Sequence, residues 1–280
     1  ASRLKESRLP DTGKRVAIAG AGPAGLTAAF YLALLGHEVT VFDARQAAGG
    51  MLRYSLPEYR LPKSVLDMEI ALIAELGVHF VFNCRVGVDK TLPQLEADHD
   101  AVFLALGTWE ESKAGVEGED GPGVYAAIEF LEKVAAGETL DVGRRVAVIG
   151  GGNAAIDSAR TAIRLGADVQ VVYRRERKDM PAIAEEVNDA EAEGVKLVFF
   201  AAPERILRDG NGRVKGLEAA LMTPGDYDRS GRRKPVPTGR THVIECDAIV
   251  MAIGEKPETT VLRDTGISFA RDGAIIADRA

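Results

Sequence analysis

The first clear pattern of hydrophobic and polar positions in this chain is a short apolar run that leads into glycines. Residues 16–19 are apolar and uncharged, as expected for a strand buried in a parallel sheet. Residues 26–35 are rich in Ala and Leu and lack Pro, which predicts a helix ending at Gly36. A second apolar run over residues 37–42 predicts another strand. The pattern therefore predicts a β-α-β unit.

The same order of elements recurs about 130 residues later. An apolar run is again followed by glycines, a helical stretch and a second apolar run. A repeat of a whole β-α-β unit is far more specific than either copy alone. We therefore predict an α/β fold with two Rossmann-like dinucleotide-binding domains, each with three layers around a parallel sheet. The predicted elements of the second copy are a strand at 146–149, a helix at 156–165 and a strand at 169–173.

The rest of the chain predicts the connections and the remaining elements. Residues 51–63 contain two prolines and cannot form a regular helix. Residues 110–123 are polar and rich in glycine, which predicts a crossover between domains. Residues 223–241 predict a hairpin loop whose basic residues form a solvated edge. Further predicted helices are 64–76, 125–136 and 181–193, and further strands are 78–83, 100–106, 196–201, 212–221 and 243–253.

Length and composition place the chain among ordinary globular proteins. Its 280 residues are enough for two domains of the usual ~100–200 residues, and 46% are hydrophobic and 28% charged. No apolar run approaches the ~20 residues that span a bilayer, so we predict no membrane association. The net charge of −7 argues against nucleic acid as a partner. Residues 1–15 lack the apolar core of a signal peptide and predict either an exposed lead-in or the end left by a cut.

Cysteine usage excludes several redox and metal chemistries. Cys84 and Cys246 are the only cysteines, and no C-x-x-C pair occurs. The sequence therefore contains no dithiol of the thioredoxin-reductase type, no zinc site built on paired cysteines and no complete thiolate set for an iron–sulfur cluster. We predict that both thiols are buried small residues. Two cysteines in a chain of this length fit a cytoplasmic protein, which we predict.

The glycines after the first apolar run have the spacing of a nucleotide-binding fingerprint. Gly20, Gly22 and Gly25 follow G-x-G-x-x-G, which provides a tight turn, close approach to a pyrophosphate and close helix packing. The following helix N-terminus supplies amide donors to the anion. Asp43 ends the second strand, where an acid accepts hydrogen bonds from an adenosine ribose. These features predict a dinucleotide rather than a plain glycine-rich turn, and they leave NAD and FAD open, although the glycine pair at 49–50 favours FAD.

The second fingerprint differs from the first where the ribose of a nucleotide binds. Residues 150–155 follow the form G-x-G-x-x-A. The strand after it ends in Tyr173-Arg174-Arg175 instead of an acid. Because arginine accommodates a 2′-phosphate, this ending favours NADP over NAD. A solvated basic loop is the alternative interpretation.

Several strings in this chain resemble one known family, the FAD- and NADPH-binding part of the glutamate synthase small subunit and its relatives, which include the reductase half of dihydropyrimidine dehydrogenase. The resemblance covers nearly all 280 residues. It implies the architecture of the pyridine-nucleotide-disulfide oxidoreductases without the redox disulfide, with an FAD-binding domain at 1–112, an inserted NADP-binding domain at 113–251 and a return to the FAD domain at 252–280. The strings are GAGPAGL, GGMLRYSLPEYRLPK, LALGTW, VAVIGGGNAAID, VVYRRERKDMPA and AIVMAIGEKPE.

The resemblance also implies which residues bind the two cofactors. Asp43 would bind the FAD ribose, Met51 and Arg60 would face the flavin nucleotide, and Val86 would meet the adenine through its backbone. No residue would act as a nucleophile or a metal ligand, because hydride passes directly from nicotinamide to flavin. The implied FAD contacts are Gly20, Ala21, Gly22, Pro23, Ala24, Gly25, Asp43, Gly50, Met51, Arg60, Val86 and Gly107, and the implied NADPH contacts are Gly150, Gly152, Asn153, Ala154, Ala155, Arg174, Arg175, Ala252, Ile253 and Gly254.

The resemblance implies a flavoprotein subunit that passes electrons from NADPH through FAD to a partner. The partner would be an iron–sulfur protein or a larger catalytic subunit in a hetero-complex. Family members usually begin with a cysteine-rich iron–sulfur domain and continue to a G-D motif that holds the flavin ribityl chain. We therefore expect this chain to be a fragment, or else a natural variant with an incomplete flavin site, and we expect its FAD affinity to be partial. A reductase of a small molecule or quinone, and a flavin-free structural subunit, are the alternatives.

Overall fold

The structure, a computed structural model, describes residues 7–228 and 231–278. The chain forms two compact units. The first unit comprises the chain up to Glu110 together with the residues from Glu255, and the second comprises Glu111–Gly254. Three predictions fall partly outside the described residues: the lead-in at 1–6, the excursion at 229–230 and the last predicted segment at 279–280.

The first unit is built on a four-stranded parallel sheet. Ile18 of the central strand packs in one apolar cluster with residues of two helices, and Ala17 packs in a second cluster on the opposite face. Because successive side chains of a strand point to opposite faces, this strand is buried on both sides, as its uninterrupted apolar run predicts. The strands, in sheet order, are His79–Val81, Glu38–Phe42, Arg15–Ala19 and Ala101–Leu104.

The helices of the first unit include two that the sequence pattern did not predict. The proline-containing segment after Gly50 begins with one helical turn, Met51–Tyr54, before it becomes irregular. Another helix, Leu92–Asp98, is only seven residues long and is held by a capping box between Thr91 and Gln94. It is too short for its periodicity to stand out. The helices are Pro23–Leu34, Met51–Tyr54, Lys63–Glu75 and Leu92–Asp98, with a 3₁₀ turn at Thr260–Leu262.

The second unit contains a five-stranded parallel sheet and a three-stranded antiparallel sheet. Val148 packs with helical residues on one face of the parallel sheet, whereas Ile149 packs with Leu217 of the antiparallel sheet on the other. The parallel strands, in sheet order, are Val124–Ala126, Ala248–Met251, Arg145–Ile149, Asp168–Tyr173 and Lys196–Phe199, and the antiparallel strands are Ala201–Arg208, Val214–Tyr227 and Arg233–Ile244. The helices are Ala127–Ala135, Asn153–Arg164 and Ala184–Ala192, with a 3₁₀ turn at Arg177–Asp179; short strands Glu110–Glu111 and Glu255–Lys256 lie where the chain passes between units.

The predicted loop at 223–241 is mostly paired strand, so that prediction was wrong in extent. Pairing with the first antiparallel strand ends at Leu221, and beyond it the hairpin strands pair only with each other. Pro224 lies opposite Pro235 there. A proline removes a ladder hydrogen bond, which an edge position tolerates. The turn-forming residues therefore mark the edge of a sheet rather than a loop.

Two smaller predictions also need correction. The predicted strand at 243–253 is divided, because its first residues belong to Arg233–Ile244 and its last to Ala248–Met251. Cys246 lies between the two strands and is buried as predicted, whereas Cys84 is only half-buried. Burial raises the pKa of the Cys246 thiol to about 12, so it stays protonated at neutral pH. No helix among the described residues is long and apolar enough to cross a membrane.

The two units repeat the same main-chain hydrogen bond at the start of each fingerprint. The Gly20 amide donates to the Phe42 carbonyl at 2.8 Å, and the Gly150 amide donates to the Val172 carbonyl at 3.1 Å. The residue after each acceptor is therefore equivalent in the two units. This equivalence allows the two sites to be compared residue by residue.

Candidate dinucleotide-binding sites

The first glycine of each fingerprint is required by the protein itself. Gly20 has φ +111° and Gly150 has φ +145°, a region that other residues rarely adopt. A Cβ on Gly20 would lie 2.2 Å from the carbonyl oxygen of Ala105, and one on Gly150 would lie 2.1 Å from that of Ala252. Both glycines thus allow the turn to pass against the end of the neighbouring strand.

The third position of the fingerprint differs between the units. A Cβ on Gly25 would lie 1.8 Å from the carbonyl oxygen of Gly20, so the first helix needs glycine to approach the turn. The second unit has Ala155 at this position, and its side chain is fully buried. The second helix therefore packs against its turn with a methyl group between them.

Nothing within the protein requires glycine at the middle position of either fingerprint. Gly22 has φ −77° and Gly152 has φ −91°, both ordinary for any residue. A Cβ on Gly22 would have its nearest neighbour at 3.9 Å, on Gly50, and one on Gly152 would also have its nearest neighbour at 3.9 Å, on Pro181. Glycine at these positions keeps open the space at the N-terminus of each helix.

Each middle glycine directly precedes a helix whose first turn has no side-chain cap. The first helix begins at Pro23 and the second at Asn153, and both are twelve residues long. The amides of a first helical turn have no partners within the helix, and the helix dipole favours an anion there. In the first unit Ala24 and Gly25 supply these amides, since Pro23 has none, and in the second Asn153 and Ala154 do. The arrangement fits the diphosphate of a dinucleotide in each unit.

Asp43 organises the loop after the second strand of the first unit. Its Oδ2 accepts a hydrogen bond from the Ala21 amide at 2.6 Å, and its Oδ1 accepts one from the Arg45 amide at 2.7 Å. Each carboxylate oxygen can accept a second bond, so capacity for ribose hydroxyls remains. Asp43 therefore joins the fingerprint to the strand end and still has the chemistry that the sequence predicts.

The glycine pair after Asp43 lies on the first fingerprint. The Gly49 amide donates to the Ala21 carbonyl at 2.8 Å. Gly50 has φ +54°, and a Cβ on it would lie 2.7 Å from the Cα of Gly22. This close approach explains why glycine follows glycine here. Met51 begins the next helical turn and is half-buried.

Three side chains that sequence reasoning missed form an aromatic and cationic cluster in the first unit. The Arg45 guanidinium lies 4.5 Å from the ring centroid of Trp109 and 5.0 Å from that of Tyr54. The two rings meet edge to face at 6.2 Å. Gly107, at φ +73°, lies next to Trp109. The loops that carry Arg45 and Trp109 follow carboxyl ends of parallel strands, where α/β proteins bind ligands, but in sequence these residues are too far apart to form a motif.

Arg60 and Val86 are the remaining FAD residues that the resemblance implies. Arg60 is half-buried in a turn in which its amide donates to the Pro57 carbonyl at 3.0 Å. The Val86 side chain is buried with Phe42 and Leu95 in the core. Its proposed contact is through the backbone, so a buried side chain is compatible with it.

In the second unit Tyr173 stands where the first unit has Asp43. Its hydroxyl donates to the Asp179 carbonyl at 2.7 Å, and this bond is buried. The loop held in this way returns to the fingerprint, where the Ala182 amide donates to the Gly151 carbonyl at 3.1 Å. This bond is the counterpart of the bond from Gly49 to Ala21. The side-chain oxygen of Asn153 accepts a hydrogen bond from the amide of Ile183, which follows Ala182 in that loop, at 3.0 Å.

The two arginines after Tyr173 have different environments. Arg174 is exposed. Arg175 is only 8% exposed, its Nη2 pairs with Asp228 at 2.7 Å and its Nε donates to the Arg233 carbonyl at 2.8 Å. The structure thus gives Arg175 partners on the antiparallel hairpin, and of the pair only Arg174 faces solvent. The partner Asp228 is 53 residues away, so no local signal predicts it.

The last predicted NADPH contacts lie at the end of the strand Ala248–Met251. The Ala252 amide donates to the Ile149 carbonyl at 2.8 Å, which places its own carbonyl against Gly150. Ile253 is 38% exposed, and Gly254 has φ +118°. The chain therefore leaves the sheet here with an exposed apolar side chain beside the second fingerprint. No group of three His, Cys, Asp or Glu side chains among the described residues could hold a metal ion.

Comparisons with known proteins agree with this geometry. Residues 14–280 match the family described as pyridine nucleotide-disulphide oxidoreductase. The NADP(+)-dependent formate dehydrogenase subunit beta of Moorella thermoacetica is 45% identical over an alignment of 279 positions that covers 98% of this chain and 39% of that protein. The glutamate synthase [NADPH] small chain of Escherichia coli is 39% identical over an alignment of 285 positions that covers 97% of this chain and 60% of that protein. The chain thus spans about two fifths to three fifths of the length of these relatives.

The fold recurs in solved structures at low sequence identity. Mycobacterium tuberculosis FprA in complex with NADPH superposes with a TM-score of 0.75 at 21% identity, over 94% of this chain and 74% of that chain. These matches confirm the predicted fold class and the predicted resemblance to the glutamate synthase small chain. The matched family is one of oxidoreductases by its description, as predicted for this chain. The chain belongs to the pyridine nucleotide-disulphide oxidoreductase family.

Proposed function

We propose that this chain is an electron-transfer flavoprotein module that binds FAD on the first unit and NADPH on the second. The observation that carries the proposal is the pair Gly22 and Gly152. Each is a glycine that no contact or dihedral within the protein requires, and each lies above an uncapped helix N-terminus. Two such positions in one chain support two bound diphosphates.

The residues at the strand ends support the assignment of each cofactor to its unit. Asp43 has acceptor capacity for a ribose diol, which the adenosine of FAD contains. Tyr173 has no carboxylate, and the exposed Arg174 beside it supplies a cation for a 2′-phosphate. Arg175 then holds the hairpin and supports the loop rather than binding the phosphate directly. The relatives named above, one dependent on NADP(+) and one on NADPH, are consistent with this assignment.

In this mechanism the protein binds and orients, and it supplies no nucleophile. When bound, nicotinamide and flavin together supply the chemistry of hydride transfer. The fingerprint amides would hold the diphosphates, Asp43 and Arg174 would fix the two adenosine ends, and the segment from Met51 to Arg60 would line the flavin. Alignment of two bound groups is itself a large part of such catalysis. A thiol buried like that of Cys246 takes no part.

We extend the proposal to organisation and partners. The chain would comprise an FAD domain at 1–112, an NADP domain at 113–251 and a return to the FAD domain at 252–280. The formate dehydrogenase relative is a subunit by name, which supports a place in a hetero-complex. An iron–sulfur protein or a larger catalytic subunit would accept the electrons, in the cytoplasm.

The test uses three alanine substitutions at glycines. Gly22→Ala places a methyl group in the first diphosphate space and is expected to weaken FAD binding at least roughly tenfold, with NADPH binding unchanged. Gly152→Ala is expected to weaken NADPH binding at least roughly tenfold, with FAD binding unchanged. Gly210→Ala is the matched control, because a Cβ there meets open space and its φ is not positive. Calorimetric titration of each variant with each cofactor gives the affinities.

Colour provides a second readout for the same chain. Wild-type protein loaded with FAD is expected to be yellow and to bleach when NADPH is added without oxygen. FAD binding that is unaffected by Gly22→Ala, or a loaded flavin that NADPH does not reduce, contradicts the proposal.

A further inference from the structure

The Lys63 ammonium binds the main chain of a segment that begins within the helical turn Met51–Tyr54 and is irregular after it. Its Nζ donates to the carbonyls of Leu52 at 2.9 Å, Leu56 at 2.5 Å and Leu61 at 3.4 Å. These three carbonyls span ten residues that contain only one turn of helix. One side chain therefore closes the whole segment into a compact loop.

The charge of Lys63 suits this arrangement. An ammonium group has three N–H donors and no acceptor, so three carbonyls satisfy it completely. Burial lowers the pKa of Lys63, the nearby Glu58 carboxylate opposes that change, and Arg53 adds to it. A charged group that is half-buried among main-chain carbonyls is typical of a built structural contact rather than a solvated surface lysine.

The same segment is anchored at its other points to the start of the helix Lys63–Glu75. Both carboxylate oxygens of Glu58 accept from the Lys63 amide, at 3.1 and 3.2 Å. Arg53 pairs with Asp67 on this helix and donates from Nε to the Ala48 carbonyl at 2.5 Å. The helix Lys63–Glu75 therefore holds the segment through these contacts. Ala48 directly precedes the glycine pair that lies on the first fingerprint.

We propose that Lys63 is a positioning residue of the flavin site, an inference that rests on the proposed binding of FAD to the first unit. The segment that Lys63 closes contains Arg60 and directly follows Met51, the two residues proposed to face the flavin nucleotide. Lys63 does not touch the cofactor in this scheme. It sets the path of the main chain from Gly50 to Pro62 and so the positions of both side chains.

The experiment compares Lys63→Met, Lys63→Arg and a control in the full 280-residue chain. Methionine keeps length and apolar bulk but removes all three donors. Arginine keeps the charge, but its planar fork spreads its donors over several nitrogens, whereas the carbonyls converge on one. Lys14→Met is the control, since the Lys14 ammonium is 62% exposed and pairs with the Asp100 carboxylate.

Four measurements are made on each variant: the Kd for FAD, the visible absorption and circular dichroism of bound flavin, the Kd for NADPH and the unfolding midpoint. Lys63→Met is expected to weaken FAD binding at least roughly tenfold, as for the loss of charged hydrogen bonds, and to shift the flavin bands. Lys63→Arg is expected to shift the bands with a smaller loss of affinity. Lys14→Met is expected to change neither. NADPH binding should be unchanged throughout, which verifies that the second unit is folded, and the unfolding midpoint checks the rest of the chain.

The outcomes separate this inference from the proposed function. Wild-type protein that takes up no FAD overturns both. Wild-type protein that binds FAD, with both Lys63 variants showing the same Kd and the same flavin spectrum, overturns only the positioning role. A lower unfolding midpoint with an unchanged flavin spectrum also overturns it, because a merely structural contact would produce that result.

Discussion

The ring of Tyr173 lies against the main chain of Gly151, so closely that a Cβ on Gly151 would come within 2.5 Å of the ring. In the first unit the equivalent space is used by the carboxylate of Asp43, which accepts from the amide of Ala21. The second unit thus has an aromatic ring where the first unit has an acid, although the two turns are otherwise equivalent. The replacement removes the group that would hold the ribose diol of NAD and makes glycine necessary beneath the ring.

Gly151→Ala tests this packing directly. The added methyl group has no room, so we expect the free energy of unfolding to fall by about 1–3 kcal/mol, and NADPH binding to weaken as the ring and its loop move. FAD binding should be unchanged. Urea unfolding and calorimetric titration measure these quantities, with Gly210→Ala as the control in open space. A variant as stable as wild type, with the same NADPH affinity, would show that the ring moves aside at no cost.

Asp43→Ala is expected to weaken FAD binding about tenfold or more. The substitution removes the acceptor for the ribose, and it also leaves the amides of Ala21 and Arg45 without their carboxylate partner. Asp43→Asn, which keeps one acceptor oxygen, should lose less. The fluorescence of Trp109, the only tryptophan, can follow the titration because Trp109 contacts Arg45 beside this loop. Equal dissociation constants for all three proteins would mean that this carboxylate does not hold flavin.

The two arginines after Tyr173 are expected to differ in effect. Arg174→Ala should weaken NADPH binding much more than NADH binding, because only NADPH has the 2′-phosphate. Arg175→Ala should instead reduce stability by about 3 kcal/mol, since it leaves the Asp228 carboxylate, whose side chain is 20% exposed, without this ion pair. Titration with both nucleotides and urea unfolding distinguish the two results. A wild-type preference for NADH would refute the assignment to NADP.

Asp247 is expected to make the second unit sensitive to acid. A hydrogen bond from the Arg145 side chain, despite partial burial, lowers the pKa of Asp247 below its ordinary value of 3.8. Because the folded pKa is below the unfolded one, the stabilisation is present above pH 3.8 and is lost as pH falls through the folded value. Asp247→Asn should therefore cost about 1 kcal/mol at neutral pH and flatten the stability profile in acid.

Urea unfolding over a series of pH values checks this expectation. Asp168→Asn is the control, because the Asp168 side chain is 69% exposed in its pair with Arg144 and an exposed pair contributes little. If Asp247→Asn has the same acid profile as wild type, the titration lies elsewhere.

Local sequence patterns determined the two β-α-β units and predicted a dinucleotide for each. Strand burial depends on an uninterrupted apolar run, and a fingerprint depends on glycines within six residues, so both are visible in a short window. Gly20 and Gly150 were predicted on spacing alone, and each has the positive φ and close carbonyl that require glycine. The repeat of the whole unit made the assignment specific.

Only the tertiary structure decided what the polar side chains between these patterns contact. Arg174 and Arg175 are adjacent in sequence, yet one is exposed and the other is buried against Asp228, because hairpin pairing brings that carboxylate to the strand end. In sequence Lys63 is only the last residue of the proline-containing segment 51–63, but its ammonium binds three carbonyls of that segment. The contact between the Tyr173 ring and Gly151 likewise forms only when the sheet forms. Such contacts depend on chain segments that meet after folding, and no periodicity within one segment encodes them.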